Sequence, residues 1–270
     1  CLMHGIEVDY YKKLFQTIGN IIELIEKDDI PKYLLFLENS FPYMDNYNYQ
    51  KGMREIIQEL KNLLKRKDIG TDSDRALLMD FQATLETKPE KAIKLEKDAL
   101  ALITEITADN AHLVSNLHSN LGGLYRMNGY SALAREHMEK GLFLLEQYHL
   151  LYTHDSIPQI TSYAMLLTEQ HSPEKGISVL QKVSKIIKEY NSDCNLDYAT
   201  VQETLGTIYL MNADFSQAQT HFKRAFKVYE KIWADEPEMI EKKYREIQEL
   251  YPQVGYFLGQ QLSNFLTKQT

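Results

Sequence analysis

Two stretches decide the fold: "LGGLYRMNGYSALA", Leu121 to Ala134, and "LGTIYLMNADFSQA", Leu205 to Ala218. Leu, Gly, Tyr, Met, Asn and Ala recur between them at an offset of 84, and the half-step of 42 is also occupied. Leu121, Tyr163 and Leu205 share one register; Gly122, Ala164 and Gly206 share the next; Tyr125, Leu167 and Tyr209 share a third. A weaker copy one step earlier holds Met79, Asp80 and Ala83. The second half of the unit repeats more cleanly, with Ala92, Ala134, Gly176 and Ala218 in one register and Ala99, Gly141, Val183 and Ala225 in another. Small residues at fixed places let successive helix backbones approach closely, and Met138, Leu180 and Phe222 fill the space between. Self-similarity at a fixed period of this length is the mark of a repeat architecture.

Turn chemistry agrees with the arithmetic. Ser172-Pro173-Glu174 reads as a cap followed by Pro at the first helical position, Asp214 falls one period later as a cap, and Pro89 stands two periods before Pro173. Apolar residues at three- and four-residue steps, with no two-residue alternation, predict helices throughout.

Composition bounds the function. Of the 270 residues, 44% are hydrophobic and 25% charged, as in an ordinary globular protein. The net charge of -8 leaves no basic footprint, so no nucleic-acid contact is expected in this stretch. The two cysteines, Cys1 and Cys194, make a disulfide framework implausible and a reducing cytoplasm the expected home. No apolar run reaches the roughly 20 residues of a membrane span. The chain opens on Cys1 rather than Met, so it is expected to begin partway through a longer protein.

A Leu-Gly-x-x-Tyr run, an Ala nine residues on and a small residue seven beyond it resemble the tetratricopeptide repeat. The period of 42, against the usual ~34, is similar to the longer-helix variety of kinesin light chains. The resemblance runs from about residue 72 to 233 and implies an all-α, right-handed superhelical solenoid of helix pairs. Residues 71–233 would hold four repeats. Residues 1–70 would form N-terminal helices outside the register (7–27, 30–39 and 48–67, with a loop at "NSFPYMDNYN"), and 234–270 would form C-terminal capping helices.

In such a solenoid the first helix of each pair lines a concave groove. Carried over register by register, the resemblance places Asn116, Ser119, Asn120, Gly123, Arg126 and Met127 on that wall. Thr161, Ser162, Met165, Thr168 and Glu169 follow, then Thr200, Glu203, Thr204, Thr207, Leu210 and Met211, with Asp74, Leu77, Leu78, Phe81 and Thr84 from the weak first copy. Short amides and hydroxyls suit a peptide backbone held in extended form, and methionines suit variable side chains. Asn120 is the leading candidate. Each amide or hydroxyl can equally be a solvated surface position. The Lys and Arg with which co-chaperone members grip a terminal carboxylate are replaced by Thr200 and Thr204, which disfavours that ligand.

Nothing in the sequence assembles a catalytic constellation. His4, His112, His118, His137, His149, His154, His171 and His221 form no helical pair with a nearby Glu, and Cys194 has no sequence-near histidine. Gly122-Gly123 reads as close helix packing, and the basic run Lys61 to Asp68 as a helix C-terminus. No cofactor or metal is expected. The chain thus reads as a non-enzymatic module for a short peptide or a partner's extended segment. The leading expectation is the peptide-sensing region of a cytoplasmic bacterial transcriptional regulator of the quorum-sensing kind, with an upstream helix-turn-helix and a possible homodimer through the C-terminal helix. A generic interaction adaptor is the rival reading.

Overall fold

The computed structural model describes residues 30–46, 50–191, 195–234 and 237–250. The expected helix over 7–27 and the last 20 residues, including the expected capping helix after Pro252, lie outside them, as does Cys194. Among the described residues there are eleven α-helices and no strand. The chain divides into two compact units, residues 1–128 and 129–270.

The first unit contains α1 (Ile30–Asn46), α2 (Gln50–Leu64), α3 (Asp72–Thr84), α4 (Pro89–Leu102) and α5 (Ala111–Met127). Each packs on the next, and α3 also touches α5, the neighbour-to-neighbour contact of a solenoid. α1 runs on through Pro42, where the sequence predicts a loop. Pro42 cannot donate to the Glu38 carbonyl, a fault worth about 3 kcal/mol inside a helix. Continuing the helix, however, buries Phe41 and Met44 beside Leu37, and Phe41 stacks on Phe81 with ring centroids 3.9 Å apart. Packing wins. Thr71 and Asp74 close a reciprocal capping box at the start of α3. Ala76, Ala99 and Leu117, all fully buried, form the contact of α3, α4 and α5.

The second unit holds α6 (Ser131–Gln147), a 3-10 turn (His154–Ser156), α7 (Ile157–Glu169), α8 (Pro173–Asn191), α9 (Leu196–Met211), α10 (Phe215–Ile232) and α11 (Pro237–Leu250). α7 packs on α8 and on α9, α9 on α10, and α10 on α11. Ala134, Ala164, Ala218 and Ala225 are fully buried, as the register requires. Gly176 shows why the register demands small residues: a Cβ there would sit 2.6 Å from the Ala164 carbonyl oxygen. At Gly206 a Cβ would meet the Phe222 ring at 3.1 Å. Phe222 and Phe226 are wholly buried, and Phe226 stacks on Tyr244 of α11 at 3.9 Å.

The repeat also governs the backbone of the turns. Gly129, His171 and Ala213, 42 residues apart, have φ of 78°, 57° and 59°. After α7, Ser172 N–H donates to Leu167 C=O at 2.8 Å and His171 N–H to Thr168 C=O at 3.0 Å. After α9, Asp214 N–H donates to Tyr209 C=O at 2.9 Å and Ala213 N–H to Leu210 C=O at 3.0 Å. These are Schellman caps, in which a left-handed residue turns the chain and satisfies the last carbonyls. The Asp214 carboxylate then accepts from Gln217 N–H at 3.1 Å, capping α10 as its sequence position predicts.

Candidate peptide-binding faces

In the first unit the candidate face comes from α3 and α5. Asn116 is half-buried, its amide 3.4 Å from His112 Nδ1. Ser119 and Arg126 are half-buried, and Met127 is 84% exposed at the end of α5. Asn120 is exposed, but its Nδ2 donates to Asp80 Oδ1 at 2.7 Å. One of its two donors is therefore tied within the fold. Gly123 corrects an expectation: a Cβ there would meet nothing within 4 Å, so close packing does not explain it. Leu78 and Phe81 turn into the core shared with α1 and α2 rather than onto an open face. Leu77 is half-buried and Thr84 exposed.

In the second unit Thr161 and Thr207 are each 9% exposed and offer a partner little surface. Ser162 is half-buried, and so is Met165, which packs on the core. The hydroxyls of Thr161, Thr168, Thr200 and Thr204 donate to backbone carbonyls three or four residues back in their own helices, at 2.9–3.0 Å. What they keep for a ligand is acceptor capacity. Leu210 is buried, while Glu169 and Met211 are exposed.

Thr200 lines a cleft of about 300 Å³ bounded by α9, α10 and α11. Leu196 and Met239 give it apolar walls, and Tyr229 and Trp233, stacked at 4.8 Å, form an aromatic one. Lys242 and Lys243 also line it. Glu203 accepts from Tyr229 O–H at 2.7 Å and pairs with Lys243 Nζ at 3.1 Å. Lys243 also lies 3.6 Å from Glu246 and 6.0 Å from the Tyr229 ring centroid. Burial, with the Glu203 carboxylate beside it, raises the Tyr229 phenol well above its usual range, so Tyr229 stays a donor. The cleft thus combines aromatic and apolar walls with a braced cation.

Of the residues picked from sequence, Thr200 lines this cleft and Glu203 bonds to two of its lining residues, whereas Tyr229, Trp233, Lys242 and Lys243 were not picked. The signal was present: Lys242 and Glu246 stand one period after Thr200 and Thr204. A second cleft, of about 320 Å³, opens between α6, α7 and α8, walled by Phe143, Tyr152, Tyr163 and Lys182. It contains none of the residues picked from sequence.

Residues 157–231 match the tetratricopeptide repeat family. None of the curated proteins compared matches the chain. Among solved structures, BtubC (BKLC) from P. vanneervenii superposes with a TM-score of 0.56 at 15% identity, over 90% of this chain and 93% of that one. A putative kinesin light chain from Podosopora anserina with nearly identical TPR-like repeats gives 0.55 at 14%, over 73% and 96%. A Rap protein complexed with Competence and Sporulation Factor gives 0.57 at 18%, over 97% and 75%. In fold this chain is a TPR-like helical repeat protein, and its match to the tetratricopeptide repeat family spans residues 157–231.

Proposed function

We propose that this chain is a non-enzymatic module that holds a peptide, or an extended segment of a partner protein, on the first helices of its pairs. Its biological setting is the sensing region of a cytoplasmic bacterial transcriptional regulator. The observation that carries the binding role is the α9–α11 cleft, where Thr200 and its neighbours meet an aromatic wall and Lys242. A mostly apolar recess with a few fixed polar groups is what a peptide side chain and its flanking backbone require. The regulatory setting draws on the fold shared with a Rap protein captured with Competence and Sporulation Factor.

Calorimetric titration of a short-peptide library against the full chain, with Thr200→Arg and Lys242→Glu in parallel, tests the reading. Micromolar binding by the parent chain, weakened at least about tenfold by either substitution (about 1.4 kcal/mol), is the expected result. Peptide affinity unchanged by both, or no peptide bound at all, contradicts it.

A further inference from the structure

The first unit brings carboxyl groups together in two places, and both involve α3. Glu38 of α1 lies beside Asp74, while Glu96 of α4 lies beside Asp80. Glu96 is only 2% exposed and Asp80 only 9%. In each pair one buried glutamate oxygen lacks a partner: Glu38 Oε1 and Glu96 Oε2. Two carboxylates cannot share a hydrogen bond unless one keeps its proton, because an ionised carboxylate only accepts. The groups acting on these sites are Asp45 of α1, Asp74 and Asp80 of α3, Glu96 of α4 and the neutral Asn120 amide of α5. None of these is cationic. α2 meets α3 through the apolar core of Leu60, Leu64, Leu78 and Phe81.

We propose that α3 is fastened to α1 and α4 by two proton-sharing carboxyl pairs, Glu38–Asp74 and Glu96–Asp80, so that this unit loosens as the pH rises. Asn120 adds a third point of attachment by donating to Asp80 at 2.7 Å, so the device links α1, α3, α4 and α5. Burial first, and the neighbouring aspartate second, push the Glu38 carboxyl up to about 8 and that of Glu96 up to about 10. Unfolded, both return to the ordinary range near 4.5. The stabilisation is therefore complete below pH 4.5 and drains away through pH 8 and then pH 10. Each retained proton lowers the folded-to-unfolded ratio by up to about tenfold per pH unit in that window. Loss of the first proton also places like charges in contact inside the unit. This inference does not depend on the ligand proposed above.

Two measurements on the full chain test it. Potentiometric unfolding in urea at pH 7 is expected to release about two protons more from the parent than from Glu38→Gln/Glu96→Gln, and about one more than from either single variant. Hydrogen exchange of residues 72–102, corrected for the chemical exchange rate, is expected to lose protection in the parent between pH 5 and 8.5 and to stay flat in the double variant. Equal proton release, or the same slope in both chains, overturns the proposal. Protection restored at pH 8 by millimolar calcium or magnesium, but not in Glu96→Gln, also overturns it, in favour of a cation held by the same carboxyls. The proton measurement on the parent chain remains decisive if a variant folds poorly.

Discussion

At the scale of single residues, the repeat acts through space that a side chain cannot have. Gly176 lies so close to the Ala164 carbonyl that Gly176→Ala forces α7 and α8 apart. An expected loss of about 1–3 kcal/mol is measurable by urea unfolding of the two chains. Ala213 poses the opposite problem, since it holds φ of 59° with a Cβ. A left-handed L-residue costs about 1–2 kcal/mol, while glycine costs back some unfolded-state entropy. Ala213→Gly is therefore expected to raise stability by about 0.5–1 kcal/mol, seen as a higher urea midpoint with the slope unchanged. Buried small residues were legible because a methyl group leaves a register in the sequence. Left-handed turns were less so, because histidine and alanine stand where Gly129 would have announced them. Gly123 was misread for the converse reason: a glycine in a helix signals close approach only if a neighbour arrives, and none does.

Between elements, polar links decide how pairs are held. Gln202 of α9 donates to Ser184 Oγ of α8 at 2.8 Å and accepts from the imidazole of His221 on α10 at 2.9 Å. His221 also stacks on Tyr209, with ring centroids 5.2 Å apart. Burial, aided by Arg224, lowers the His221 imidazole to about 4. Nδ1–H donates to the Gln202 oxygen in this link, and burial beside Arg224 is what keeps the ring neutral while it does so. Its contribution is present above pH 6.5 and is lost as pH falls through 4. Proton NMR of the His221 ring is expected to show no titration between pH 7 and 5; a midpoint near 6.5 would refute the link. None of this network was predicted, because Gln202, Ser184 and His221 are ordinary surface residue types until the helices meet. The sequence reading ends α1 at residue 39, ahead of Pro42, for a related reason: local propensity was legible, but the burial of Phe41 and Met44 that outweighs it was not. In the array itself, the period fixed α7 to α10 closely, where cap and register agree.

At the scale of the molecule, the two units answer pH in opposite directions. The carboxyl pairs of residues 30–128 favour acid, and His221 of the second unit favours neutral and alkaline conditions. Hydrogen exchange across the chain is expected to show the second unit opening more readily at pH 5 than at pH 8.5 and the first unit the reverse; a change in the same direction in both units would contradict the assignment. The candidate face was legible only in part. Residue types and register pointed to Thr200, whereas the aromatic wall of its cleft comes from α10 and the cations from α11, beyond the stretch in which the repeat was traced. The measurement that tests the binding claim most directly is hydrogen exchange of the full chain with and without its tightest-binding library peptide. Protection gained on α9 and α11, at residues 196–211 and 237–250, is the predicted result. Protection confined to α6 and α8, around Phe143 and Lys182, would place the ligand in the other cleft and contradict the account.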